Sequence, residues 1–116
     1  MGKRSVLIID DEVGILNMLS RYLKRKGFEV YTAVNLTDGK GQLQKITPDF
    51  LFLDINLPDG NGLDSLPKIK DRQPMLNIIM MSAFDYERIR FEAKSKGALA
   101  FLSKPFSLDQ VDKLTK

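Results

Sequence analysis

Five short apolar runs alternate along the chain with longer segments whose apolar residues recur every three or four positions. The first run, Ser5 to Asp10, is almost continuous in Val, Leu and Ile, the pattern of a strand buried on both faces. From Glu12 to Lys26 the period changes. Val13, Leu16, Leu19, Tyr22 and Leu23 fall on one helical face, and Gly27 follows a basic last turn as a C-cap. Glu29 to Val34 is β-branched and aromatic and reads as a second strand. Asn35 or Thr37 opens a second helix through about Ile46, weakened by Gly39 and Gly41, each costing roughly 1 kcal/mol against Ala. Phe50 to Leu53 forms a third strand that runs into Asp54. A loop containing Pro58, Gly60 and Gly62 and a short helix over Leu63 to Lys70 follow. Asn77 to Met81 is a fourth strand ending at Ser82, and Asp85 to Lys96 a helix closed by Gly97. Ala98 to Leu102 is a fifth strand ending at Ser103 and Lys104, and Ser107 caps a final helix.

A strand and a helix repeated five times predict an α/β fold, a parallel sheet with helices on both faces. A length of 116 residues fits one domain, and 43% hydrophobic residues suffice for a core. Met75, Met80 and Met81 are expected in or near that core. The absence of Cys excludes a disulfide scaffold, a zinc-thiolate site and a thiol nucleophile. The absence of His removes the usual general base and the commonest transition-metal ligand, so any metal is expected to be hard and oxygen-bound. The net charge is +3, and the cluster Arg21, Lys24, Arg25 and Lys26 is read as a complement to a helix dipole, not a nucleic-acid contact. The first apolar run is too short for a signal core or a membrane span, and the expectation is a cytoplasmic protein without membrane contact.

In an open parallel sheet, ligands bind outside the carboxyl ends of the strands. The residues there are Asp10 and Asp11, Asp54, Ser82 and Lys104. Carboxylates brought together repel one another, and a divalent cation relieves that conflict. Mg²⁺ takes one or two carboxylates, waters and a phosphate oxygen. A lysine then supplies a point charge for a phosphoryl oxygen, Ser82 a hydrogen bond, and Asp54 the nucleophile. Each feature also has a plainer reading: Asp10 and Asp11 as helix caps, Asp54 as a turn residue, Ser82 as a surface hydroxyl, Lys104 as a solvated loop lysine.

Taken in order, Asp10-Asp11-Glu12, Asp54 through Gly62, Ser82-Ala83 and Lys104-Pro105-Phe106 resemble the response-regulator receiver family over essentially the whole chain. The resemblance implies a doubly wound, five-stranded (βα)5 flavodoxin-like sheet of order 2-1-3-4-5. It implies Asp54 as the phosphorylated aspartate, with Lys104 and Ser82 assisting. It implies Mg²⁺ on Asp11, Asp54 and the Asn56 carbonyl, with Asp10 acting through water. Ser82 and Phe101 would form a switch, and the Lys104-Pro105 bond would be cis. The implied partners are a sensor histidine kinase or phosphotransfer protein and an output domain or target protein, with a possible phosphorylation-dependent homodimer. Residues 1–116 are expected to be one receiver domain, standing alone or as the N-terminal part of a longer regulator. It is not expected to be an enzyme beyond its own phosphorylation and dephosphorylation.

Three rival readings fit the sequence less well. A haloacid-dehalogenase-type phosphatase needs a second Asp two residues after the nucleophile, where this chain has Asn56. A flavodoxin-like cofactor binder needs a phosphate-cradling loop after the first strand, where this one is acidic. A degenerate receiver serving only as a docking module is argued against by the complete acidic set and Lys104. Phe84 and Tyr86 are expected to lie exposed near the pocket mouth.

Overall fold

The computed structural model describes residues 2–84 and 86–116. Its strands and helices are β1 (Ser5–Ile9), α1 (Val13–Arg25), β2 (Glu29–Ala33), α2 (Leu36–Leu43), β3 (Phe50–Asp54), β4 (Asn56–Leu57), β5 (Gly60–Asn61), α3 (Gly62–Arg72), β6 (Asn77–Ser82), α4 (Glu87–Ser95), β7 (Ala100–Ser103) and α5 (Leu108–Leu114). The large sheet is parallel with order β2-β1-β3-β6-β7, which is the expected 2-1-3-4-5 once the small β4-β5 hairpin is set aside.

The apolar runs behave as doubly buried strands must. Leu7, Ile9, Leu51, Leu53, Ile78 and Met80 pack with the α2, α3 and α4 side, among Leu36, Leu66, Ile69 and Ala93. Val6, Ile8, Phe50, Phe52, Ile79 and Met81 point the other way, onto Leu16, Leu19, Leu23 and Val111 of α1 and α5. Alternate residues of one strand thus feed two cores, because successive side chains leave opposite faces.

Several element boundaries depart from expectation. The α2 helix stops at Leu43, not near Ile46, and Gln73 Nε2 donates to the carbonyls of Leu43 (2.9 Å) and Ile46 (3.1 Å). Asn35 is its cap, accepting from Asp38 N at 2.8 Å. Gly39 is no mere weakness: a Cβ there would lie 2.2 Å from Ile9 Cδ1, so glycine lets α2 seat on β1. The last strand begins at Ala100, and α3 runs from Gly62 to Arg72 with Pro67 inside it. The start proposed for the fourth helix at Asp85 lies outside the described residues. Met80 and Met81 are fully buried, whereas Met75 is 90% exposed, in the turn before β6. Gly27 follows α1 at φ 100, as its C-cap role requires. Lys26 does more than complement a dipole, since its Nζ pairs with Asp112 at 2.6 Å and joins α1 to α5. Among the described residues, no helix is long and apolar enough to cross a membrane.

Candidate functional site

The site is built where the strands end, at or one residue beyond the last paired position. Ile9 lies opposite Leu53, so the next residues, Asp10 and Asp54, emerge side by side at the carboxyl rim. The ladder continues there: Asp10 N donates to Ala33 O at 3.1 Å, and Ile55 N to Met81 O at 3.0 Å. Lys104 N donates to Ser82 O at 2.8 Å, which fixes the lysine at the end of β7 beside the end of β6. The Lys104-Pro105 peptide bond is cis, as the resemblance implies. The rim lies at the crevice between β1 and β3, where the chain order of the sheet reverses.

The hairpin after β3 folds back on Asp54. Gly62 N donates to Ile55 O at 2.7 Å, and a Cβ on Gly62 would stand 2.2 Å from the Asp54 carbonyl oxygen. Only glycine allows this approach. Asp59, in the hairpin turn, accepts from Leu36 N (2.8 Å), Thr37 N (2.9 Å) and Thr37 Oγ1 (2.7 Å). It therefore caps α2 from outside that helix. These bonds, led by the Thr37 hydroxyl, hold its carboxyl down at about 2.

Lys104 is the hub of the rim, with a side chain only 8% exposed. Its Nζ lies 2.7 Å from Glu12 Oε1, 2.8 Å from Asp10 Oδ2 and 3.5 Å from Asp54 Oδ1. Burial pulls the ammonium down, but its contacts with Asp10 and Glu12 and the Asp54 charge outweigh this, and its pKa is raised. Asp54 is pushed up to about 7, first by burial, then by the neighbouring Asp10 charge, with Lys104 opposing and Asp11 adding a little. Asp10 is fully buried; its Oδ1 accepts from Glu12 N at 2.9 Å. Its Oδ2 lies 2.8 Å from the Lys104 ammonium, which is the charge that compensates it in the site.

The donor set suits a hard divalent cation. Carboxylate oxygens of Asp10, Glu12 and Asp54 lie within 4.8 Å of one another, the all-oxygen donor set such an ion prefers. Sequence reasoning placed Asp10, Asp54, Ser82 and Lys104 together, and they are together. Asp11 differs: it is exposed and stands outside the converging trio, while Glu12, given no site role from sequence, takes part. Its only sequence signal was membership of the acidic run after β1. Asn56 is exposed and opens the hairpin, paired with Asn61. Ser82 is 1% exposed, and its Oγ accepts from Phe84 N at 2.9 Å. Phe101 is half-buried against the α2–α4 core, with the Arg90 guanidinium 5.0 Å from its ring centre. Phe84 and Tyr86 are exposed, at 54% and 62%.

The response regulator receiver domain model matches residues 6–116. The chain is 36% identical over 114 residues to the chemotaxis protein CheY of Thermotoga maritima, covering 96% of this chain and 92% of that one. It is 32% identical over 108 residues to the photosynthetic apparatus regulatory protein RegA of Cereibacter sphaeroides, covering 93% of this chain but 59% of RegA. This chain thus spans little more than half the length of that relative. A crystal structure of a two-component response regulator from Clostridium difficile superposes with a TM-score of 0.94 at 26% identity, covering 98% of this chain and 93% of that one. Fold, rim and matched sequence agree: the chain belongs to the receiver domains of two-component response regulators.

Proposed function

We propose that this receiver accepts a phosphoryl group on Asp54 from a phosphorylated histidine of a sensor kinase or phosphotransfer protein. The P–N bond of the phosphohistidine breaks, its electron pair stays on the imidazole nitrogen, and a P–O bond forms to an Asp54 carboxylate oxygen. Asp10, Asp11, Asp54 and the Asn56 carbonyl would hold Mg²⁺, which when bound neutralises charge on the transferring group. Lys104 supplies the second positive charge from the protein itself. Phosphoryl transfer is mostly positioning and charge neutralisation, so a chain without histidine is equipped for it. The same site later releases the phosphoryl group to water, so the domain turns over only its own modification.

The observation that carries this reading is the Lys104 ammonium set within 3.5 Å of a buried Asp54 and 2.8 Å from the buried Asp10 carboxylate. The acyl phosphate adds about two negative charges. Ser82 turns its hydroxyl from Phe84 N toward the new oxygens, Phe101 moves inward, and the surface of α4, β7 and α5 changes as a shift between two packings. That surface would address an output domain or target protein, or a second copy of the receiver, in the cytoplasm. Mass spectrometry after treatment with acetyl phosphate and Mg²⁺ tests the reading. One phosphoryl group is expected on the wild type and none on Asp54→Asn. An unmodified wild type would instead mark a receiver that serves only to dock.

A further inference from the structure

We infer that Glu12 is a positioning residue that tethers Lys104 away from Asp54 until the phosphoryl group arrives. The inference rests on Asp54 being the acceptor. An ammonium has three N–H groups, and Lys104 faces three carboxylates. Its contact with Glu12 is short, 2.7 Å, and its contact with Asp54 is long, 3.5 Å. The carboxylate that needs a counter-charge for chemistry is therefore the one served least.

Glu12 is the N-cap residue of α1, yet its side chain makes no capping hydrogen bond. Asp10 Oδ1 instead pins its backbone N–H at 2.9 Å. With the backbone fixed and the helix start making no use of it, the carboxylate reaches across the rim to a lysine 92 positions away. The two ends of this contact are unequal. The Lys104 side chain is 8% exposed, the Glu12 side chain 59%. A contact with one wet partner is screened and weak, so it breaks readily once a stronger anion competes. A phosphoryl group on Asp54, with about two charges, is such an anion. Glu12 thus biases where the ammonium rests in the unmodified protein without blocking its transfer, and it slows the first step by leaving Asp54 poorly neutralised.

Two substitutions separate reach from charge. Glu12→Gln removes the charge, whereas Glu12→Asp keeps it on a stem one methylene too short to hold the 2.7 Å contact. Both are expected to raise the initial rate of Asp54 phosphorylation by acetyl phosphate at saturating Mg²⁺, by about two- to fivefold for a contact with one exposed partner. Neither should accelerate the reaction in a Lys104→Ala background. The Lys104 Nζ nitrogen resonance of the protein without added metal should shift in both variants. Glu12→Asp behaving as wild type, with Glu12→Gln alone faster, would show that only repulsion of the anionic donor had been relieved, and would overturn the tether. Equal acceleration with and without Lys104 would overturn it too. Should Lys104→Ala not fold, the Asp–Gln comparison and the Nζ resonance still decide. Wild type lacking phosphate at Asp54 defeats the acceptor reading itself and the tether with it, whereas phosphorylated wild type with unresponsive Glu12 variants defeats the tether alone.

Discussion

Asp54 sits in a state of electrostatic conflict that its chemistry can use. Burial and the Asp10 charge raise its carboxyl from an ordinary 3.8 to about 7. Between those values the folded chain holds a proton that the unfolded chain has lost, so stability falls as pH rises through this window and stays low above it. In chelator-treated protein at pH 8, Asp54→Asn is therefore expected to be more stable than wild type by about 1–3 kcal/mol, with the gap closing toward pH 4. Urea unfolding at the two pH values measures this, and equal stabilities at pH 8 would show that the charge is already compensated. Added Mg²⁺ should narrow the gap, because a bound cation favours the ionised carboxylate. Asp54 and Lys104 were legible in the sequence because a polar residue ending an apolar strand has only the rim to occupy. The division of labour between Asp11 and Glu12 was not. It is set where the chain passes from the strand period to the helix period over three successive carboxylates, and backbone turning there, not composition, decides which carboxylate oxygen comes near Asp10 and Asp54.

At the scale of elements, the β4-β5 hairpin is the part the sequence concealed. Its strands have two residues each, too few to show any apolar period, and its purpose emerges only from what it touches. One end presses Gly62 against the Asp54 carbonyl; the other sends Asp59 to the start of α2. Gly62→Ala should force Asp54 and the hairpin apart, with a loss of about 2–4 kcal/mol for a backbone-level clash, and should slow phosphorylation of Asp54 as well. Chemical denaturation and phosphodonor kinetics on the same variant check both halves. Asp59 makes a pH prediction of the opposite sign to Asp54. Its depressed carboxyl stabilises the folded chain above 3.8, and that contribution is lost as pH falls toward about 2. Amide exchange at Leu36 and Thr37 should accordingly accelerate in acid and in Asp59→Ala at neutral pH, while exchange in β3 stays slow. Gly39 carries the same lesson, since propensity alone marks it as a flaw until the side chain of Ile9 is placed against it.

Across the whole molecule, the rim depends on a sheet that is held from both sides. The alternation along β3 sends Leu51 and Leu53 to the α2–α4 layer and Phe50 and Phe52 to the α1–α5 layer, so this strand is the shared wall of two cores. That much could be read from five apolar runs and the helical periods between them, because a parallel sheet buried on both faces leaves no other pattern. A domain of this size is stable by only about 5–15 kcal/mol. Phe52 is fully buried at the centre of the wall, two residues before Asp54, and Phe52→Ala should cost about 3–5 kcal/mol through lost burial and the cavity left behind. Met75, also apolar but 90% exposed, contributes little to either layer, and Met75→Ala should stay within about 0.5 kcal/mol of wild type. Urea melts of the two variants give the contrast directly. Comparable losses would mean that apolar character, not position in the two layers, governs stability here. A large loss confined to Phe52→Ala would tie the stability of the strand that ends in Asp54 to its packing between the two cores.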